Sequence, residues 1–507
     1  MRAFIIYACL FLYCEFYSQG FKVTQTLPNI SQHRTCAIFE MSPGVYIGAG
    51  FIVDTVNHVP VTRIAITGLG NQGQVLWVKK YGGITPQYIN NPFVSRCFYK
   101  QKNNIYYAGC VRGANNEQFG VLVKFNLNGD TLWQKFYTDS AVDVVPQMVT
   151  GSFDGGFLMT GFFQDWVNHT NPCLIIKTDA NGVELWRKKI NKTGLNVSDG
   201  QAISQDSLSK KIISVGYQYF NTADNYDNIL ILDSLGVKLT QMHFTHLGGF
   251  AKDLILTSDH KAVMVGWQLY PQINSWPLIK SFAVKFDINP PYFPIWRLDG
   301  FDSPAAYNTF TCVRELKNGN LLLGGIMDSS MLAPSNPLTR FTTVDKNGNI
   351  LSNRYYDYKY NDTTEDNNQG VRSVEICDDG GWIAAITCAN SKGNNPFLFV
   401  KYDSTGCDSS LAYCSTLNLT KIKRNELANY DFKIYPNPAT DILNIKLEGD
   451  ASGKLILLII DAFGREMKSF PMDQNNKIDL NGLNPGIYIL KIKKEKQIIY
   501  TSKIIKE

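Results

Sequence analysis

Histidine is scarce in this chain, six in 507 residues, which leaves few groups suited to base catalysis near neutral pH. No His-Glu-x-x-His and no Gly-x-Ser-x-Gly string occurs, so neither a zincin helix nor a nucleophile elbow is indicated. His243 and His246 lie three apart on a strand-like stretch and point to opposite faces, which argues against a shared metal. Excess charge of one sign is lacking too. The 49 basic and 44 acidic residues leave +5 with no basic block, a balance unsuited to nucleic acid. Beyond the N-terminus no apolar run approaches the roughly 20 residues that a membrane helix needs. Leu455 to Ile460 is six long, the length of a buried strand.

What is present suits a packed all-β protein. Hydrophobic residues make up 44% and charged ones 18%, outside the range of disordered chains. Aromatics reach 12%, and flat rings pack well on pleated surfaces. A chain of this length exceeds one ordinary core and implies several domains or a repeat. Arg2, the apolar run Ala3 to Tyr13 and the small residues around Ser18-Gln19-Gly20 read as a signal peptide over residues 1–20. Tyr13 ahead of Cys14 disfavours a lipoprotein site. Cys9 and Cys14 fall in that leader, so nine of the 11 cysteines remain, an odd number that cannot pair completely. Cys407 and Cys414 flank a short loop and are the disulfide candidates, while Cys36, Cys97 and Cys312 read as free buried thiols.

Residues 63 to 414 repeat about every 50 to 60 positions, a period that belongs to propeller blades. Val121 to Lys135 and Leu174 to Lys188 are the clearest copies: an alternating strand, an Asx-rich turn closing on Gly129 or Gly182, then Trp133 or Trp186 four residues later. Glycine supplies the positive φ of the turn and the indole falls on the return strand. Trp77 and Trp296 hold the same place, so these four tryptophans are expected to dock neighbouring blades; Thr240, Ser352 and Ser410 replace them in three weaker copies. A second set of turns, from Ser42-Pro43-Gly44 to Asp378-Asp379-Gly380-Gly381, supplies another hairpin per repeat. Two hairpins in each of seven repeats predict a seven-bladed β-propeller over 21–414. The strand Phe21 to Leu27 lies at the right phase to complete the last blade and remove its open edge. The half-unit resembles repeats of secreted bacterial β-propellers and, more loosely, the tryptophan-docking repeat of quinone-dependent propellers. The lack of an adjacent cysteine pair and seven copies rather than eight disfavour the quinone, and no cofactor is expected.

Gly68-Leu69-Gly70-Asn71-Gln72-Gly73 spells a dinucleotide fingerprint, but a strand follows where the fingerprint needs a helix. The Asx turns offer too few side-chain oxygens for calcium, and turn capping accounts for them. Asp139, Asp143, Asp199 and Asp302 lie between repeats, where a glycosidase would draw its carboxylates; solvated loop positions are the simpler reading. No catalytic or metal residue is assigned.

The last segment opens Tyr435-Pro436-Asn437-Pro438 with Asp441, continues through Asp461, Gly464 and Arg465, and ends on Gly486, Tyr488 and Lys503 to Lys506. Short apolar strands between these turns describe a small immunoglobulin-like β-sandwich. The order of motifs over 432–507 closely resembles the type A C-terminal sorting domain of the type IX secretion system of Bacteroidetes-type bacteria. The resemblance implies passage through the periplasm, recognition by the secretion machinery and its sorting-domain peptidase, and a final place in the medium or on the outer cell surface. Residues 415–431 read as the linker, and the mature chain is expected to carry no membrane span. The expected function is recognition of an extracellular glycan or peptide; the alternative is a polysaccharide hydrolase or lyase on the same scaffold.

Overall fold

The computed structural model describes residues 20–27, 30, 32–84, 87–89, 96–114, 117–168, 170–190, 197–219, 225–244, 249–270, 278–300, 307–328, 337–358, 368–389, 396–408, 431–448, 455–461, 466–472, 475–494 and 497–507. Residues 1–19 of the signal peptide, residues 415–430 of the linker, Asp302, Cys414, Gly464 and Arg465 lie outside them. Among the described residues no helix is long and apolar enough to cross a membrane.

Residues 21–402 form a β-propeller. Its described strands group into seven antiparallel units of four strands, with a short extra strand, Gln87–Ile89, beside Phe98–Gln101 on the inner edge of one, and a single parallel bridge, Ile279↔Tyr307, between two neighbours. Their innermost strands are Gln32–Ser42, Phe98–Gln101, Asp143–Gly151, Val197–Gln205, Gly249–Leu256, Tyr307–Glu315 and Asn368–Ile376. We number the units one to seven in that order. Three strands of unit seven follow from 368 to 402, and its fourth is Phe21–Gln25, paired antiparallel with Phe397–Tyr402 from Phe21↔Lys401 to Gln25↔Phe397. The N-terminal strand thus clasps the last unit, as the repeat phase anticipates.

Apolar side chains join each unit to the next without a break. Ile47 and Ile66 of unit one meet Tyr107 and Val121 of unit two. Ala108 and Leu122 continue to Phe157 and Met159 of unit three, and one core links units three, four and five through Ile175, Ile213, Leu230 and Met264. Val265 and Phe310 join five to six, and Phe341 and Trp382 join six to seven. Phe399 of unit seven packs with Ile38 and Phe21, and Asp378 N donates to Glu40 Oε2 at 2.6 Å, which closes the ring. Third strands such as Cys173–Thr178 are wholly buried between neighbouring sheets, whereas outer strands such as Glu184–Ile190 stay partly exposed. One end of the ring carries the short hairpin turns, among them those at Gly129, Gly182 and Gly236. The connections from unit to unit, and from second to third strand, run at the other end and are mostly longer.

The C-terminal β domain is a sandwich. A sheet of Asp431–Tyr435, Ile442–Glu448 and Asn475–Asp479 faces one of Leu455–Ile460, Glu466–Met472, Gly486–Lys494 and Gln497–Lys506. Leu443 and Ile445 from the first meet Leu457, Ile459, Leu490 and Ile492 from the second.

Candidate functional site at the channel mouth

Each innermost strand runs along the central channel, and in six of the seven a β-bulge interrupts its pairing. Register shifts fall between Thr35 and Ala37, Pro146 and Met148, Gly200 and Ala202, Ala251 and Asp253, Phe310 and Cys312, and Val371 and Ser373. The extra residues are Cys36, Gln147, Gln201, Lys252, Thr311 and Arg372. A bulge leaves one residue unpaired and re-aims its side chain. Repeated round the ring, it creates a girdle in which neighbours touch. Gln201 Nε2 donates to Gln147 Oε1 at 2.6 Å, Lys252 Nζ to Gln201 Oε1 at 3.2 Å, and Thr311 Oγ1 to Val371 O at 2.6 Å.

Asp199 sits two residues before the bulge of unit four, near the end of its strand that meets the longer connections. Its Oδ2 accepts from Gln201 Nε2 at 2.8 Å and Gln147 Nε2 at 3.3 Å. The residue is 3% exposed. Burial pushes its carboxyl up to about 6, against these hydrogen bonds and the attraction of Lys252. Burial likewise pulls the Lys252 ammonium down to about 8, against the attraction of Asp199. The Lys252 ammonium lies 5.9 Å from the centre of the Tyr217 ring. Tyr217 continues to Phe250, 5.2 Å between centroids, and Phe250 stacks on Trp267 at 4.0 Å and 20°. Lys252, Tyr217 and Trp267 are half-buried, so the cluster borders the opening. A carboxylate, two amides, an ammonium and an aromatic wall thus converge at one mouth. Such a set can exchange hydrogen bonds with ligand hydroxyls or amides while a ring face covers an apolar patch.

Towards the short-turn end, side chains bridge the channel. Arg96 of unit two donates through Nη1 to Asp253 Oδ1 of unit five at 2.8 Å, and Arg314 of unit six donates to Asp253 Oδ2 at 2.9 Å. Asp253 is fully buried. Lys100 and Glu375 pair at 4.0 Å beside it, and burial pushes the Glu375 carboxyl up.

The sequence-expected residues fall as follows. Asp199 is no solvated loop residue: it is the third residue of an inner strand, and the bulge beside it hides the alternation that would mark it. Asp143 begins an inner strand, where its carboxylate accepts from Gln118 N and Trp166 Nε1, and Asp139 pairs with Arg187 at 3.9 Å. Trp77, Trp133, Trp186 and Trp296 each lie against the turn glycine of the following unit: Gly129, Gly182, Gly236 and Gly348. Sequence reasoning passed over Tyr81 and Tyr137, four residues beyond their tryptophans, whose hydroxyls donate to the carbonyls of Gly129 and Gly182. The recurring Trp-x-x-x-Tyr spacing is the signal that marks them. Cys407 carries a free, half-buried thiol.

In the C-terminal domain the opening motif grips the last strand. Asn437 Oδ1 accepts from Ile505 N at 2.8 Å, and Ala439 N donates to Ile505 O while its carbonyl accepts from Glu507 N. Asp441 pairs with Lys506 at 3.6 Å, and the Tyr488 hydroxyl donates to Asn484 O at 2.8 Å. Asp461 is buried.

Residues 433–507 match the family described as the secretion system C-terminal sorting domain. No curated protein matches the chain. Similar solved structures include acylaminoacyl peptidase of Pyrococcus horikoshii, at 9% identity over 83% of this chain and 59% of that one, TM-score 0.40. Alpha-L-arabinanase of Penicillium chrysogenum complexed with arabinobiose matches at 10% identity over 76% and 98%, TM-score 0.35. Xylan beta-1,4-xylosidase of Bacillus halodurans matches at 10% over 75% and 97%, TM-score 0.31. The sorting domain directs the protein to the cell surface or the medium through the type IX secretion machinery.

Proposed function

We propose that this exported propeller is a recognition protein and that the channel mouth around Asp199 binds a glycan or peptide. The observation that carries the reading is the convergence of a buried, amide-held carboxylate with Lys252 beside the Tyr217, Phe250 and Trp267 rings. Hydroxyl- or amide-rich ligands need paired donors and acceptors, and sugar faces and peptide side chains stack on aromatic rings. The test is a glycan and peptide array probed with the mature protein. Saturable binding to one ligand class, weakened about tenfold or more by Tyr217→Ala and by Asp199→Asn, supports the site. Binding that both variants retain in full removes it.

A hydrolase reading draws on one feature, the Asp199 carboxyl held near 6, which suits a general acid. A glycosidase of the usual kind needs a second carboxylate about 5 to 9.5 Å away. Among the described residues the hydrogen-bond donors on Asp199 are two amides, with the Lys252 ammonium nearby, a set that serves recognition ahead of hydrolysis. Product released from an array ligand would reverse that order.

A further inference from the structure

We propose that Trp166 forms an outer subsite of the channel mouth, a stacking platform for a sugar ring, so that the ligand of this protein is an oligosaccharide rather than a single sugar or a peptide. The inference rests on the mouth around Asp199 being a recognition site, and it adds the class and the length of what that site takes.

Trp166 stands in a tight turn between Phe157–Gln164 and Cys173–Thr178 of unit three, on the same end of the ring as Asp199. It is 62% exposed, although tryptophan is on average a well-buried residue. The turn that carries it is firmly built. Asp165 and Thr170 close its base with backbone hydrogen bonds of 2.9 and 3.2 Å. The Asp165 carboxylate accepts from Val167 N at 3.1 Å and from Asn168 N and Nδ2, both at 2.9 Å. The indole is held as well. Its Nε1 donates to Asp143 Oδ2 at 2.8 Å, while Asp143 Oδ1 accepts from Gln118 N of unit two at 3.1 Å. One edge of the ring is thus fixed to the first residue of an inner strand, and most of the ring is left to solvent. A ring preorganised in this way loses little freedom when a ligand lies on it.

The same contacts tie the platform to the mouth. Asp143 stands four residues before Gln147, whose Nε2 donates to Asp199 at 3.3 Å. Asn171, just beyond the turn, accepts through its carbonyl from the N–H of Ser198, the neighbour of Asp199, at 2.7 Å. Four residues of strand cover roughly 13 Å, more than one sugar spans, so a ligand that touches both ends must be a chain. The surroundings favour a glycan over a peptide. Peptide anchors bind in enclosed, desolvated pockets. Trp166 offers instead an open ring face with Asp143, Asp165 and Asn168 at its margin. The C–H face of a sugar meets the negative face of an indole without enclosure, and its hydroxyls can reach that polar margin.

The experiment measures the affinity of the exported protein for cello-, xylo-, manno-, arabino- and galacturono-oligosaccharides, each from one sugar to six, beside the array peptides. For at least one series, affinity should rise with length and level off once both subsites are filled. Trp166→Ala should weaken the longest members of that series about tenfold and leave the shortest binding member unchanged. Tyr217→Ala, at the mouth, should weaken every member. Wild-type affinity of Trp166→Ala at every length overturns the subsite and leaves the mouth standing. Equal weakening at every length also overturns it, because Trp166 would then belong to the mouth itself. Binding of peptides alone overturns the glycan assignment but not the recognition reading, and binding of neither class overturns both. Should Trp166→Ala fail to fold, oxidative footprinting of the wild type, mapped by mass, decides: long members must shield Trp166 and the shortest binding member must not.

Discussion

Single residues at the channel mouth carry charge at a cost to the fold. Asp199 has a folded-state pKa raised from 3.8 to about 6, so its favourable contribution is complete below the ordinary carboxylate value and is lost as pH rises through 6. Ionising it costs about 3 kcal/mol of stability on that shift. Lys252 runs the other way. Its value is depressed to about 8, so its contribution is complete above the ordinary lysine value and is lost as pH falls through 8. Between about 6 and about 8 both groups are charged and the protein retains them at the expense of stability, which is the pattern of a functional site. A ligand hydroxyl that donates to Asp199 and accepts from Lys252 should therefore bind tightest in that window. Affinity measured against pH is expected to rise through about 6 and fall through about 8, and Asp199→Asn should abolish the lower limb and move the upper limb to lower pH, because the charge of Asp199 helps to keep Lys252 protonated. A flat profile in the wild type would detach the pair from binding. In the sequence Asp199 stands out only as one of four acidic residues between repeats, not as an inner-strand position. Asn196-Val197-Ser198-Asp199-Gly200 reads as a turn, because glycine and a bulge break the alternation by which a strand is recognised.

At the scale of the element, the stabilising unit is a hairpin turn gripped by the unit before it. Trp133 covers Gly182, and the Tyr137 hydroxyl donates to the carbonyl of the same glycine at 2.8 Å. The tryptophans and glycines could be found by repeat alone, since both are rare letters at a fixed spacing. The tyrosines are marked only by their fixed distance from the tryptophans, because tyrosine itself is common throughout this chain. The fold contains its own control. Gly155 and Gly182 have similar positive φ, 86° and 76°, but a Cβ on Gly155 meets nothing within 4 Å while one on Gly182 stands 2.8 Å from the Trp133 ring. Gly155→Ala should cost about 1 kcal/mol from backbone strain alone. Gly182→Ala should cost about 1–3 kcal/mol more, because the indole must leave its seat. Tyr137→Phe should cost about 1 kcal/mol. Urea unfolding of the three variants checks this, and equal costs for the two glycines would mean that docking adds nothing.

The whole molecule is held by contacts distant in sequence and by a tail that decides its destination. The clasp by Phe21–Gln25 was visible from repeat phase, whereas the bridge from Arg96 to Asp253 spans 157 residues and two non-adjacent units, which no local pattern reports. Breaking that bridge by Asp253→Ala removes a fully buried carboxylate and leaves two half-buried guanidinium groups without it, which should cost about 3 kcal/mol in the same unfolding measurement. The tail obeys a different logic, because its motif residues hold the tail's own fold together. Asn437 receives the amide of Ile505, and Ala439 bonds Ile505 and Glu507, so the opening motif and the final strand form one clamp. The two motif ends therefore act as a unit, and loss of the last three residues should unpin the Tyr435–Pro438 segment as surely as Asn437→Ala. Either change is expected to leave the melting of the propeller as it is and to cut export sharply. Removal of residues 432–507 should strand a folded propeller in the periplasm, counted as the ratio of propeller in the medium and on the surface to propeller retained. An unchanged ratio would show that the address lies elsewhere in the chain.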